Sequence, residues 1–137
     1  MATHLADMSA LTRVHHLDVA ERLGPMLIAG RIATCIVTDL EVLRSARSTA
    51  EHEELWAERQ FLPRTPLTEA CGERAVEVQG LLAGAGHHRG VSAVDLLVAA
   101  AAERDGLAVL HYDHDFDLIA EITGQPVEWV VPRGTVP

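Results

Sequence analysis

Residues 90–116 read GVSAVDLLVAAAAERDGLAVLHYDHDF, and the parsing of this stretch decides the fold. Ser92 stands where a helix N-cap belongs, and Asp95 follows it at capping-box spacing. From Ala93 to Arg104 the chain is dominated by Ala, Leu and Val and is apolar on nearly every side, the mark of a buried helix. Asp105-Gly106 ends it. Leu107 to His111 is an apolar run of strand length, and Asp113 and Asp115 follow it. A buried helix leading into a buried strand predicts an α/β sandwich around a parallel sheet.

Working outward, residues 3–7 form a short first strand, and residues 9–13 continue into a turn or short helix. A helix over 18–30 has Asp18 as its N-cap and Gly30 as its stop. A second, over 38–47, has Thr38 and Glu41 at capping-box spacing. Residues 49–60 read as an exposed helix, and 61–67, with Pro63 and Pro66, as an extended connection. Residues 68–83 form an amphipathic helix, and 84–90 a glycine-punctuated break. Beyond the deciding stretch, a helix opens at Asp115 or Asp117 and stops at Gly124, and 127–131 is the last strand.

The chain has 137 residues, 48% of them hydrophobic, enough for the core of one domain spanning 1–137. Its formal net charge of −9 argues against holding nucleic acid through a broad basic surface. It leaves room for an enzyme that meets nucleic acid through a bound cation. Every one of the 11 basic residues is arginine. The absence of lysine rules out a P-loop NTPase in its usual form, along with receiver domains and haloacid-dehalogenase phosphatases, which set a lysine beside the active aspartate. Cys35 and Cys71 sit in apolar patterns and read as buried free thiols of a reducing compartment. No signal peptide precedes the first strand, and the longest apolar run, Val94 to Ala102 broken by Asp95, is too short to span a bilayer. A cytoplasmic protein without membrane contact is expected.

Ligands in open α/β sheets bind outside the carboxyl ends of the strands. Asp7 ends the first strand, Asp113 and Asp115 follow a later one, and Glu41 and Asp95 lie near helix starts. Singly, each acid has an ordinary role as a helix cap, a turn residue or a solvated charge. Together they are harder to set aside, because an ionised Asp95 on so apolar a helix is costly unless paired, hydrogen-bonded or bound to metal. Carboxylates clustered without His or Cys suit a hard divalent cation, Mg²⁺ or Mn²⁺. Such an ion acidifies a water and stabilises charge on a phosphate under in-line attack. The helix N-termini would help keep Glu41 and Asp95 ionised.

Four stretches occur in order: LAD7MS9AL, T38DLE41VL, G90VS92AVD95LLVAA and VLHYD113HD115F. Together they resemble the PIN-domain family, and VapC-type toxins in particular, over nearly the whole chain. The resemblance implies a PIN-like three-layer α/β/α sandwich with a short central parallel sheet. It implies a metal-dependent endoribonuclease, the toxin of a VapBC-type toxin–antitoxin pair, with Asp7, Glu41, Asp95, Asp113 and Asp115 as catalytic acids. Asp7, Asp95 and Asp113 would ligate the metal, and Ser9 would support the first acid. The family commonly has Thr or Ser directly after the first Asp, where this chain has Met8. Implied partners are RNA, a second copy of the chain, and a VapB-like antitoxin expected over the apolar faces of residues 38–60.

Arg13 and Arg89 are the candidate RNA contacts, and Arg44 and Arg47 could also rim the acids. The adjacent pairs His15-His16 and His87-His88 lack zinc-ligand spacing, and no HExxH occurs. Trp129 reads as a core or dimer contact rather than a stacking platform. Two other functions compete: a catalytically inactive PIN-like binding or assembly module with no need of metal, and a metal-dependent phosphatase using Asp113 and Asp115. The missing lysine and the late position of that pair speak against the phosphatase.

Overall fold

Strand residues alternate between the two faces of a sheet, and here that alternation supplies two cores. In the computed structural model, which describes residues 1–137, four short strands pair in parallel: β1 (His4–Ala6), β2 (Ile32–Ala33), β3 (Ala108–His111) and β4 (Val127–Trp129). Their order is β2-β1-β3-β4. Leu5 lies level with Ala33 and Val109, and these face one core with Phe116 and Ile119. Ala6 lies level with Leu110, and these face the other, with Ile32, Val19 and Leu23.

Helices cover both faces and make three layers. On the first side lie α5 (Glu69–Gly84), α6 (Ala93–Arg104) and α7 (Asp115–Thr123); on the second lie α1 (Met8–Leu11) and α2 (Leu17–Ile28). The remaining helices are α3 (Ile36–Leu43) and α4 (Thr49–Arg59), and α3 packs against α1, α4 and α6. Helix α6 buries seven of its twelve residues, which explains its nearly all-apolar sequence. Gly124 closes α7 with φ of 73°, a left-handed C-cap that favours glycine. Both cysteines are buried and free.

Several boundaries differ from the sequence expectation. The two-residue strand β2 is absent from it. Helix α2 is capped by His16, and Asp18 lies within its first turn. The reading of Thr38 as an N-cap is corrected: α3 starts at Ile36 behind Cys35, and Thr38 is buried inside the helix. Glu41 therefore sits in the last turn of this eight-residue helix, away from its N-terminus. The helix also stops at Leu43, where the Ser45 hydroxyl donates to the Val42 carbonyl (2.7 Å). Strand β4 ends at Trp129 rather than residue 131.

A buried ionic cluster fixes this part of the chain. Asp39, with no exposed surface, accepts from the Thr34 hydroxyl (2.8 Å), from Arg59 Nε (3.0 Å) and from Arg64. Arg59 also donates to the Thr34 hydroxyl (2.6 Å). These contacts tie α3 to α4 and to the connection at Arg64.

Candidate metal centre

In the order β2-β1-β3-β4 the chain leaves β1 toward one edge and occupies β3 and β4 on the other side, so the topological switch lies between β1 and β3. A crevice opens there, outside the carboxyl ends of the strands. Asp7 directly follows β1, and Asp113 comes two residues after β3. Two hydrogen bonds lock the strand ends together: Asp7 N–H donates to the Leu110 carbonyl (2.9 Å), and Tyr112 N–H donates to Ser9 Oγ (2.9 Å).

Each acid is held by its own local device. Asp7 caps α1, its Oδ2 accepting from Ser9 N–H (3.0 Å). Asp95 occupies the first turn of α6, where its N–H donates to Ser92 Oγ (3.1 Å). Asp113 Oδ1 accepts from Asp115 N–H (2.9 Å), and Asp113 N–H donates to His111 Nδ1 (3.1 Å). Glu41 reaches in from α3, and its Oε1 is buried without any hydrogen-bond partner.

Carboxylate oxygens of Asp95, Asp113 and Asp115 lie within 4.8 Å of one another, a spacing that one cation can bridge. Asp7 stands outside this trio but close enough for its charge to act on both Asp95 and Glu41. The structure thus brings all five expected acids to one crevice and draws Asp115, rather than Asp7, into the tightest group. Ser9 serves the first acid through both its hydroxyl and its backbone amide, and its Oγ also accepts from the β3 loop at Tyr112.

The electrostatics match this crowding. Burial, followed by the charges of Asp7, Asp113 and Asp115, pushes Asp95 up to about 7. Burial also raises Asp7, against the lowering effect of its Ser9 hydrogen bonds, and Asp113 adds to the rise. Glu41 is raised by burial and then by Asp7, with Arg44 opposing. Asp115 is raised by burial and then by Asp113, with His114 opposing. The expectation that helix N-termini keep Glu41 and Asp95 ionised is therefore corrected. Glu41 lies in the last turn of α3, where the dipole disfavours a carboxylate, and at Asp95 burial and neighbouring acids outweigh the dipole.

None of the five acids forms an ion pair, although Arg22, Arg47, Arg59, Arg64 and Arg74 all pair with carboxylates elsewhere. A divalent cation fits this centre. The donors are all carboxylate oxygens, no ion pair neutralises them, and Glu41 Oε1 is an orphaned buried acceptor.

His111 was not foreseen as part of the site. It is fully buried between the rings of Phe116 and Trp129 (centroids 5.1 and 5.0 Å), and burial pushes it down to about 4. Its Nδ1 accepts the Asp113 amide proton, so the neutral ring carries its own proton on Nε2. The only signal in the sequence is a histidine ending a strand two residues before an acid. Arg13 lines a cavity of about 510 Å³ beside Asp113, and Arg44 lines a second, about 330 Å³, beside Glu41. Arg89 is exposed in the loop before α6 and borders neither cavity.

Comparison with known proteins identifies the family. The family described as PIN domain matches residues 5–122. Ribonuclease VapC21 of Mycobacterium tuberculosis is 45% identical over 133 residues, covering 96% of each chain. Ribonuclease VapC51 of the same organism is 44% identical over 133 residues, covering 97% of this chain and 96% of its own. Among solved structures, DNA-bound VapBC from Salmonella typhimurium aligns with a TM-score of 0.73 at 19% identity, covering 96% of this chain and 100% of the other. VapBC-5 of Mycobacterium tuberculosis, described as a member of the VapBC family of toxin–antitoxin systems, aligns with a TM-score of 0.60 at 26% identity, covering 94% and 98%. With that family match and those near full-length relatives, the chain belongs to the PIN-domain family, among its VapC members.

Proposed function

We propose that this chain is a divalent-metal-dependent endoribonuclease, the toxin of a VapBC-type pair. The observation that carries the reading is the unpaired group of Asp95, Asp113 and Asp115 at the sheet's switch point, with Asp7 and Glu41 beside it. Near full-length relatives named as VapC ribonucleases support it. Asp95, Asp113 and Asp115 would hold Mg²⁺ or Mn²⁺, with Asp7 and Glu41 beside them. The bound cation would supply Lewis acidity toward a phosphodiester and a counter-charge for its transition state.

The chain's own residues do the rest. Ser92 fixes the turn that aims Asp95, and His111 fixes the peptide that aims Asp113. Glu41, raised by burial and by Asp7, would take a proton from an attacking water. That water would add to phosphorus as the bond to the leaving ribose oxygen breaks, with that oxygen taking up a proton from solvent. Arg13, and less directly Arg89, would meet the RNA backbone. The partners we propose are RNA, a second copy of this chain and a VapB-like antitoxin, in the cytoplasm; no helix is long and apolar enough to cross a membrane.

The test is to incubate antitoxin-free protein with total cellular RNA and map the cut ends, with Mg²⁺, Mn²⁺ or chelator present. Discrete cuts that need metal, and that vanish in Asp7→Ala and Asp95→Asn, are expected. A folded protein that cuts nothing with either metal would leave an inactive binding module instead.

A further inference from the structure

One wall of the centre carries a second kind of chemistry. The cavity of about 510 Å³ beside Asp113 is lined by Arg13, Tyr112, His114, Trp129 and Arg133. In a chain of net charge −9, it joins two arginines to two large aromatic rings, with Asp113 its one acidic lining residue. The Arg13 guanidinium lies 4.7 Å from the Tyr112 ring centroid, and that of Arg133 lies 5.6 Å from the Trp129 ring. The two rings meet edge to face, 5.2 Å apart and at 84°.

The wall is held in place before any ligand arrives. The Tyr112 hydroxyl donates to the Val136 carbonyl (2.7 Å) and accepts from Gly134 N–H (2.9 Å). Trp129 Nε1 donates to Asp117 (3.1 Å), which fixes the indole plane. Arg13 uses Nε and Nη1 on the backbone oxygens of Pro137 and Ser9, leaving Nη2 free. Arg133 is exposed and forms neither an ion pair nor a hydrogen bond, in a protein where acids outnumber arginines 20 to 11. Trp129, expected as a core or dimer contact, is only half-buried and faces this cavity.

We infer that this cavity is a nucleotide subsite for single-stranded RNA, resting on the nuclease reading above. It takes one nucleotide next to the scissile phosphate, its base against the Trp129 ring that Tyr112 buttresses edge-on and its flanking phosphate between Arg13 and Arg133. Aromatic faces accept any base, and the two arginines supply phosphate contacts beside them. Opening of the base from a helix is required, so the subsite selects loops and single strands over duplex.

Binding separates this inference from the nuclease reading. Trp129 emission is followed in a Trp56→Phe, Asp95→Asn protein as an eight-nucleotide single-stranded oligoribonucleotide is added. The subsite predicts quenching, at least fivefold weaker binding of an oligonucleotide abasic throughout, and at least fivefold weaker binding in Arg133→Ala. It also predicts a salt slope shallower by about one in that variant. Arg104→Ala, an exposed arginine at the far end of α6, is the control and keeps full affinity. In the otherwise native protein, Arg133→Ala should raise KM fivefold or more with kcat within twofold. Equal affinity of Arg133→Ala and the control, or no quenching by an oligonucleotide that the native protein cuts, overturns the subsite and leaves the nuclease intact. Quenching without any cutting by the native protein overturns the nuclease and leaves the RNA site standing.

Discussion

Replacing Asp95 with asparagine should stabilise the metal-free protein, by an amount that grows with pH. The carboxyl titrates at about 7 in the folded chain against an ordinary 3.8, so the folded state binds its proton more tightly. Below 3.8 it is protonated in both states and costs nothing. From 3.8 to about 7 stability falls as pH rises, and above about 7 the full cost is present. About three pH units at 1.36 kcal/mol each give an upper bound of about 4 kcal/mol. Asp7 and Asp115 relieve part of the repulsion by taking up protons themselves, which brings the expected gain to roughly 2–4 kcal/mol. With an unfolding entropy of about 2.1 cal/mol/K per residue, that is roughly 7–14 °C in Tm for a chain of this length.

His111 works in the opposite direction. Its folded-state value of about 4 lies below its ordinary 6.5, so its contribution is complete above 6.5 and is lost as pH falls toward 4. Between pH 4 and 6.5 His111 offsets only part of the acidic slope, because Asp7, Glu41 and Asp115 are raised as well and add to the fall in stability with pH. The difference between Asp95→Asn and native protein isolates the acid. The assay is thermal unfolding of both in chelator from pH 4 to 8. A difference that is absent at pH 8, or that does not grow with pH, would refute the reasoning.

Three further outcomes follow from the same contacts. Adding Mn²⁺ to the native protein should raise Tm clearly at pH 8 and hardly at pH 5, where protons compete for the carboxylates, and chelator should reverse it. Ser92→Ala removes the cap of α6 and should cost about 1 kcal/mol in a denaturant titration, while weakening Mn²⁺ binding by loosening Asp95. Asp39→Ala strands the nine-tenths buried Arg59 without its carboxylate and should cost about 3–5 kcal/mol, read as a fall in the urea midpoint.

The parts of the fold legible in the sequence are those carried by local pattern. Helix α6 and strand β3 show composition, cap and stop together, and each acid of the centre sits at a strand end or in a helix near it. Strand β2 has two residues, too few for any periodicity, and exists because β1 offers it an edge. Thr38 and Glu41 satisfy the capping-box spacing, yet the helix already runs from Ile36. A spacing rule cannot see where the preceding strand releases the chain. Asp39 went unnoticed because its partners Arg59 and Arg64 are 20 and 25 residues away. The sequence also orders the acids without ranking them. Asp115 joins the trio because its amide is turned inward onto Asp113, a detail of loop geometry rather than of spacing. His111 is similar: its role depends on a ring nitrogen meeting a backbone amide two residues on.

The most direct test of the acidic centre is Mn²⁺ binding followed by electron paramagnetic resonance on native protein and on Asp95→Asn, Asp113→Asn and Asp115→Asn, with Arg104→Ala as a control. The centre predicts saturable binding in the native and control proteins, and a loss of at least tenfold in affinity in each aspartate variant. Unchanged Mn²⁺ affinity in all three folded variants would contradict it.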